Sequence, residues 1–341
     1  MSVDRDVRPR KVAGGGVGST RNVWLERGGR VLGAKETGLA GVLVVIVLFL
    51  AWRSPDFLNS ANLTVVSRQI ALALFISIGM TFVILSGAID LSVGSVVALV
   101  SVVVGQLMVT AGLHPVLATA LALVVGTLVG VFNGAVVAYS RIPSFVVTLG
   151  TLAMGSGLAL GITQGQTISG FPTGFLAIGQ GSTLGIPNPV WLAAVAAVVA
   201  HLVLSRTTFG RHVYLLGSNE QAALLSGISV RRTKILIFTI ASSLAACAAI
   251  VETARLTVGQ PSAGGGYELA AIGAVVIGGA SLFGGEGSIL GTVLGTTLLG
   301  LILNGLILLG ISAYWQQVFS GAVIILAVGL NFWRQRQRQR S

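Results

Sequence analysis

The sequence contains 341 residues, of which 54% are hydrophobic and only 9% are charged. About a quarter of the residues of a typical soluble domain are charged, so this composition excludes a soluble globular protein and indicates a chain with several membrane spans. A net charge of +11 would suggest a nucleic-acid partner for a soluble protein. No nucleic acid is expected here, because the basic residues are concentrated before, between and after the apolar runs, as in cytoplasmic loops of membrane proteins.

The first segment, residues 1–36, mixes charged residues with glycine and serine and has almost no apolar periodicity. It is predicted to be a disordered cytoplasmic leader, and an electrostatic contact with anionic membrane lipid is the alternative. The apolar run that begins near Thr37 has no small-residue cleavage site after it, so it is interpreted as a retained span and not as a signal peptide.

Breaks in hydrophobicity divide residues 37–333, the predicted transmembrane domain, into about ten candidate spans near the length of about 20 apolar residues that crosses a bilayer. The spans are 37–52, 68–87, 91–112, 115–139, 145–163, 189–205, 235–257, 268–283, 288–309 and 315–333. With the N-terminus inside, only Arg53, Arg68 and Arg255 of the 21 basic residues fall outside. This imbalance follows the positive-inside rule. The prediction is an all-α polytopic membrane protein with both termini cytoplasmic, and with residues 334–341 as a basic cytoplasmic tail.

The run Ser86–Leu99 interrupts an apolar stretch with glycines and one acidic residue, Asp90. A carboxylate at bilayer depth costs several kcal/mol unless it is solvated, paired or protonated. Asp90 or Ser92 could cap the start of the following helix, or Asp90 could contact a transported solute or a gate. Gly87, Asp90, Ser92 and Gly94 are therefore candidates for helix-start or translocation-path residues.

Residues 206–234 form the longest polar insertion between two strong spans and are predicted to be cytoplasmic. Ser218 and Gln221 have the spacing of a capping box, and Gly227 suits a C-terminal cap. A short helix is therefore predicted at about residues 219–226. Two turns of helix are unstable alone in water, so the apolar residues at 222–225 either dock on a partner or pack against the chain itself.

A second polar group, Glu252 and Arg255, has the i, i+3 spacing that allows an ion pair on one helix face. Glu268 follows a glycine-rich loop. These three residues are predicted to form the polar cluster nearest the external mouth, either as a structural ion pair or as a docking contact for an external partner.

Several kinds of chemistry find no support in the sequence. The single cysteine, Cys247, allows no internal disulfide, and no Cys/His cluster has the spacing of metal ligands. None of the three lysines follows a glycine, so the chain has no Walker A motif. We therefore expect no catalytic, metal or cofactor site, and we expect any ATP and Mg²⁺ to bind another chain. An ion-coupled transporter and a membrane scaffold stay open as alternatives, although deep ionisable residues are scarce and the spans are broken by glycines.

Four stretches together resemble one family, the permease subunits of ribose-, xylose- and arabinose-type bacterial ABC importers. They are Gly79–Leu99, Ile142–Leu160, Thr207–Lys234 and Ala254–Gly295, and the resemblance runs from about residue 59 to residue 330. It implies an inner-membrane permease that pairs with a second permease copy, two ATP-binding subunits and an extracytoplasmic sugar-binding protein.

The segment at 217–227 looks like the helix that couples such permeases to their ATPase. Its residues are Gly217, Ser218, Asn219, Glu220, Gln221, Ala222, Ala223, Leu224, Leu225, Ser226 and Gly227. The chain departs from the family pattern at Glu286, where members often carry a basic residue, and in its leader and tail. The resemblance implies that sugar selectivity lies mainly in the binding protein, so no particular sugar is predicted.

Overall fold

The computed structural model describes residues 23–312 and, beyond them, residues 314–316, 318, 319, 321, 322, 325, 326 and 329; side chains are described from residue 36 on. Helices account for most of the described chain. The helices are α1 Val23–Arg53, α2 Ser60–Leu85, α3 Val93–Gly105, α4 Pro115–Ser140, α5 Ser144–Thr163, α6 Thr173–Gln180, α7 Asn188–Arg206, α8 Thr208–Ser218, α9 Glu220–Leu225, α10 Val230–Leu256, α11 Tyr267–Ile277 and α12 Ile289–Leu308. One π-helical turn, Gln106–Thr110, extends α3.

Four two-residue strands form two small antiparallel ladders. They are β1 Ile168–Ser169, β2 Ser182–Thr183, β3 Ile186–Pro187 and β4 Val258–Gly259. Strand β1 pairs with β4, and β2 pairs with β3. The first ladder joins the segment after α5 to the segment after α10.

Eight helices among the described residues are long and apolar enough to cross a membrane, namely α1, α2, α3 with its π turn, α4, α5, α7, α10 and α12. The prediction of an all-α polytopic membrane protein is confirmed. The span predicted at residues 268–283 is instead α11, whose 11 residues extend only about 16 Å and cannot cross about 30 Å of hydrocarbon alone. Much of the span at 315–333 lies outside the described residues. The count of ten and the cytoplasmic termini therefore stay predictions.

The first helix begins at Val23, so residues 23–36 of the segment expected to be a leader belong to α1. Residues 1–22 and the predicted tail at 334–341 lie outside the described residues. Near the start of α12, the hydroxyl of Ser288 donates to Glu36 Oε1 at 2.7 Å and accepts from the backbone N–H of Gly291. This bond ties α1 to the N-terminus of α12.

The core consists of α2, α3 and α10, whose faces are mostly covered by other helices. In the most apolar part of α2, 78% of the residues are buried, against 22% in α4, α5 and α7. Those three helices instead expose apolar residues such as Val124, Leu158 and Val195. An apolar outer surface carries no penalty in lipid, because lipid tails are as apolar as the side chains.

Two helices of the core, α2 and α10, are each followed by a non-helical segment and then another helix, α3 and α11 respectively. Helix α10 packs against α3 and α4, the two helices that follow α2. Helix α2 packs against α11 and α12, the two helices that follow α10. The N-terminal ends of α3 and α11 meet where Gly94 approaches Gly264. The N-terminal ends of two helices that begin after non-helical segments, α3 and α11, thus lie together inside the bundle. Such interruptions of membrane helices are typical of transporters.

Candidate functional site

A chain of buried polar side chains surrounds Asp90, which is 0% exposed. Asp90 Oδ1 accepts a 2.8 Å hydrogen bond from the backbone N–H of Ser92 and a 2.6 Å bond from the Ser92 hydroxyl. The Ser92 hydroxyl in turn accepts from Asn133 Nδ2 at 2.8 Å, and Asn133 Oδ1 accepts from the Thr151 hydroxyl at 2.6 Å. The chain therefore joins the start of α3 to α4 and α5.

The backbone on either side of Asp90 is held by the first turns of α5. The N–H of Ile89 donates to Ser144 Oγ and the N–H of Leu91 donates to Thr148 Oγ1, both at 3.0 Å. Ser92 precedes α3 but makes no side-chain capping bond to it. Asp90 instead fixes the turn before the helix through its bonds to Ser92, and its Oδ2 has no hydrogen-bond partner among the described residues.

A groove of about 400 Å³ opens between α3, α4 and α5 beside this polar chain. Ser95 and Thr151 contribute polar atoms, whereas most of the wall is apolar and includes Leu128, Phe132 and Met154. Apolar walls offer few partners for the hydroxyl groups of a sugar. The groove therefore does not resemble a tight sugar site.

The predicted coupling segment, residues 217–227, contains the end of α8 and the short helix α9, which is close to the predicted 219–226. Its capping box is wrong in detail, because Ser218 Oγ donates back to the carbonyl of Tyr214 at 2.9 Å. The cap is Asn219, whose Oδ1 accepts from the N–H of Ala222 at 2.9 Å. Gly227 ends the helix with a φ of +78°, a left-handed conformation that favours glycine.

The side chains of α9 divide into an inner and an outer set. Ala223 is buried, whereas Leu224 is 63% exposed and Leu225 is 88% exposed. Glu220 pairs with Lys234 at 2.7 Å, which ties α9 to the start of α10. Leu224 and Leu225 thus form a small apolar surface on the outer side of α9, whose other side is held by the buried Ala223 and by the Glu220–Lys234 pair.

The end of α8 touches two other connections on this side of the molecule. The backbone of Gly217 lies so close to the carbonyl of Leu85, at the end of α2, that a side chain at 217 would clash with it. The same carbonyl accepts from the N–H of Gly285 at 2.9 Å, and the Tyr214 hydroxyl donates to the carbonyl of Gly287 at 2.9 Å. Burial raises the pKa of Tyr214. We call these contacts the loop junction; it links α8 to the α2–α3 and α11–α12 connections.

The residues predicted for the external mouth make contacts with different parts of the fold. Glu252 Oε1 accepts from the Tyr267 hydroxyl at 2.6 Å, while Glu252 Oε2 and Arg255 Nε have no hydrogen-bond partner within the described part of the chain. Glu268 lies against α3: a Cβ at Gly94 would be 2.5 Å from Glu268 Oε2. The assignment of these residues to an external mouth stays a prediction.

Sequence reasoning missed the residues that bond to Ser92 and to the backbone beside Asp90, or extend that network, namely Asn133, Ser144, Thr148 and Thr151. A signal existed in the sequence, because a polar amide inside an apolar span and two threonines three residues apart are unusual in lipid-facing positions. The sequence could not show that these residues surround the Asp90 turn, since they lie on α4 and α5, far from Asp90 along the chain.

Comparison with known proteins assigns the chain to a family. The family model described as "Branched-chain amino acid transport system / permease component" matches residues 62–328. The chain is 44% identical over 291 residues to ribose import permease protein RbsC of Bacillus subtilis (strain 168), which covers 85% of this chain and 90% of the relative. It is 40% identical over 293 residues to RbsC of Escherichia coli (strain K12), with coverages of 84% and 90%.

A more distant relative is the xylose transport system permease protein XylH of Escherichia coli (strain K12), 32% identical over 361 residues, with coverages of 88% and 92%. No solved structure matches the chain. The matched region contains all but the first two residues of α2 and every later spanning helix up to α12, together with the Asp90 network and the coupling segment. The chain therefore belongs to this permease family, and it is the multi-pass inner-membrane permease subunit of a bacterial ABC importer.

Proposed function

We propose that this permease imports ribose or a closely related monosaccharide. Its relatives at 40–44% identity are ribose import permeases that match over 84–85% of the chain, which supports this substrate class. Permeases of ABC importers work with ATP-binding and solute-binding proteins. In the proposed assembly two permease copies share one path, two separate ATP-binding chains hold ATP and Mg²⁺, and an extracytoplasmic protein delivers the sugar. The permease itself binds no cofactor and catalyses no reaction.

One observation carries the proposal: Leu224 and Leu225 are exposed on α9, and the Glu220–Lys234 pair ties this helix to α10. Leu225 is 88% exposed, and a two-turn helix with an exposed apolar face is stabilised when a partner covers that face. An ATP-binding subunit is the partner that fits a cytoplasmic position. Membrane lipid contacts the outer faces of α4, α5 and α7.

In the proposed mechanism the ATP-binding subunits close on ATP and move α9. The loop junction passes this motion to the end of α2 and to the connection between α11 and α12. Both connections lead to the short helices α3 and α11, whose N-terminal ends meet inside the bundle. A small shift of these ends would open the path alternately to the two sides, since packed helix interfaces switch between discrete arrangements.

The coupling role is tested by changing Leu224 and Leu225 together to Asp. Two charges on the docking face oppose its burial, so we expect sugar-stimulated ATPase activity to fall at least tenfold in the complex reconstituted with its ATP-binding and solute-binding partners. The matched control is Leu184→Asp, because Leu184 is also 88% exposed but lies in the turn between β2 and β3. Unchanged sugar-stimulated activity in the double variant would show that α9 is not the docking element.

Ion-coupled transport is not favoured, because the relatives are import permeases of the ABC type. The two mechanisms differ in what drives uptake. Copurification of an ATP-binding chain, and uptake into proteoliposomes that needs ATP but no ion gradient, would support the ABC mechanism. Uptake that follows an imposed proton or sodium gradient without ATP would overturn it.

A further inference from the structure

The segment between α10 and α11, residues 257–266, does not stay at the surface but turns back into the bundle. Near its start the N–H of Gln260 donates to Ser101 Oγ at 3.2 Å. Further on, Gly264 reaches Gly94, where an added Cβ would be 2.5 Å from the carbonyl oxygen of Gly264. Gly94 precedes Ser101 by seven residues, or about 10 Å along α3. The loop therefore descends by that distance between residues 260 and 264.

The depth of the loop tip follows from its neighbours on α3 and α5. Ser95 follows Gly94 directly, and its hydroxyl oxygen would be 2.7 Å from a Cβ at Gly155. Gly155 is the twelfth of the 20 residues of the spanning helix α5. The tip of the loop is thus about halfway across the membrane-spanning region.

Part of this loop is exposed at that depth. Ser262, Gly265 and Gly266 are exposed, and a Cβ at Gly266 would meet no atom within 4 Å. Irregular backbone does not face lipid in the hydrocarbon region, because its N–H and C=O groups would be left without hydrogen bonds. Such backbone occurs where it lines a water-filled cavity or is covered by protein. The exposed side of this loop must meet water, a polar solute or another protein surface.

An acidic side chain stands beside the exposed loop. Glu268 is in the first turn of α11, and its Oε2 is inaccessible to solvent and has no hydrogen-bond partner among the described residues. Placed between the N-terminal ends of α11 and α3, a carboxylate is favoured by both helix dipoles. An ionisable residue at this depth is expensive and marks a functional path in most membrane proteins. Glu268 therefore follows closely on the exposed Gly265 and Gly266, and both features indicate a polar path at this depth.

We propose that residues 262–268 line the solute path at half depth, and that Glu268 Oε2 becomes available to accept hydrogen bonds from solute hydroxyl groups when the N-terminal ends of α3 and α11 move apart. This inference rests on the proposed import function and adds to it a place where the solute passes. The exposed backbone of Gly265 supplies a further donor and acceptor, which suits an uncharged polyhydroxylated molecule. Few polar groups of the protein converge on this part of the path, so the solute is bound weakly there and can leave.

The test uses cysteine accessibility in the full transporter, reconstituted in proteoliposomes. Cys247 is the single cysteine of the chain, so Cys247→Ser gives a background without thiols. Ser262→Cys and Gly265→Cys are made in that background and treated with a charged, membrane-impermeant methanethiosulfonate reagent. Val195→Cys is the control, because Val195 is 61% exposed on the outer face of α7 and a thiol in lipid does not ionise.

We expect both loop cysteines to react at least tenfold faster than the control, and their modification to abolish uptake of radiolabelled D-ribose. Glu268→Gln is expected to lower ribose uptake at least tenfold, with normal yield and normal binding of the ATP-binding subunits. Reaction as slow as that of the control would mean that lipid or another protein surface covers the loop, and it would overturn the inference. Unchanged uptake by Glu268→Gln would remove Glu268 from the path.

These results are separable from those that test the import function. The Cys247→Ser background without added cysteines reports ATP-dependent ribose uptake directly. If that uptake is present and the loop cysteines are unreactive, the path assignment alone fails. If the loop cysteines react but no ATP-dependent ribose uptake occurs, the proposed substrate fails and the aqueous path stands.

Discussion

Asp90 shows at the residue scale how one carboxylate organises a helix interruption. Its Oδ1 holds both the backbone and the hydroxyl of Ser92, and Ser92 is bonded in turn to Asn133. Every member of this chain is buried. In such a network the loss of one acceptor leaves donors unsatisfied, at about 1–3 kcal/mol for each buried group.

Asp90→Asn and Asp90→Leu should therefore differ. Asparagine keeps an Oδ1 acceptor for Ser92, so this variant is expected to fold and assemble with a modest loss of transport. Leucine leaves the N–H and hydroxyl of Ser92 without their acceptor, and it is expected to lower the thermal midpoint and the yield of monodisperse protein in detergent. An Asp90→Leu protein that melts and transports like the parent would contradict this role.

At the element scale, glycines let α4 approach α10. Gly126, Gly130 and Gly134 recur every fourth residue, which places them on one face of α4. An added Cβ would be 2.6 Å from Ala246 Cβ at the first position, 2.5 Å from the Phe238 carbonyl oxygen at the second and 2.6 Å from Ile235 Cα at the third. Such close contact stabilises helix pairs in lipid through van der Waals packing.

Gly130→Ala should separate these two helices, because its new methyl group would meet the backbone of α10. Overpacking of this kind costs about 1–3 kcal/mol, so a clear fall in the thermal midpoint is expected in detergent. Gly41→Ala in α1 is the matched control, since nothing lies within 4 Å of a Cβ there. Equal melting of the two variants would show that α4 and α10 adjust without strain.

For the whole molecule, the positions of the loops support one orientation. The loop junction brings together three connections that the charge pattern places in the cytoplasm, at residues 86, 217 and 285. Arg68 donates to the carbonyl of Gln180, and Gln180 Nε2 donates to the carbonyl of Arg255 at 3.1 Å. Two of the three basic residues predicted outside thus lie against one helix, α6.

Truncated fusions to alkaline phosphatase, which is active outside the cytoplasm, test this orientation. A fusion after Gly227 follows six of the spanning helices and is expected to be inactive, whereas a fusion after Gly185 follows five and is expected to be active. The physical reason is the retention of basic loops on the cytoplasmic side. Fusions to a fluorescent protein that folds in the cytoplasm should give the opposite pattern, and phosphatase activity after Gly227 would reverse the topology.

The sequence by itself determined the class, the family and the short helix α9. These depend on local properties: apolar length sets the spans, charge sets the expected sidedness, and the polar residues 218–221 with Gly227 predict a short helix, although the capping residue is Asn219 and not Ser218. The motif around Asp90 was likewise visible, although its partners were not.

The tertiary structure was needed for every feature that depends on contacts between residues far apart in the sequence. It shortened the predicted span at 268–283 to α11, because the chain before it enters the bundle and uses part of the depth that a full helix would cross. It joined Asp90, through Ser92, to Asn133 and Thr151 on two other helices, and it placed Glu268 against Gly94 of α3. Hydropathy measures how apolar a segment is, not which segment lies beside it, so an interrupted helix and a continuous one look alike until their neighbours are known.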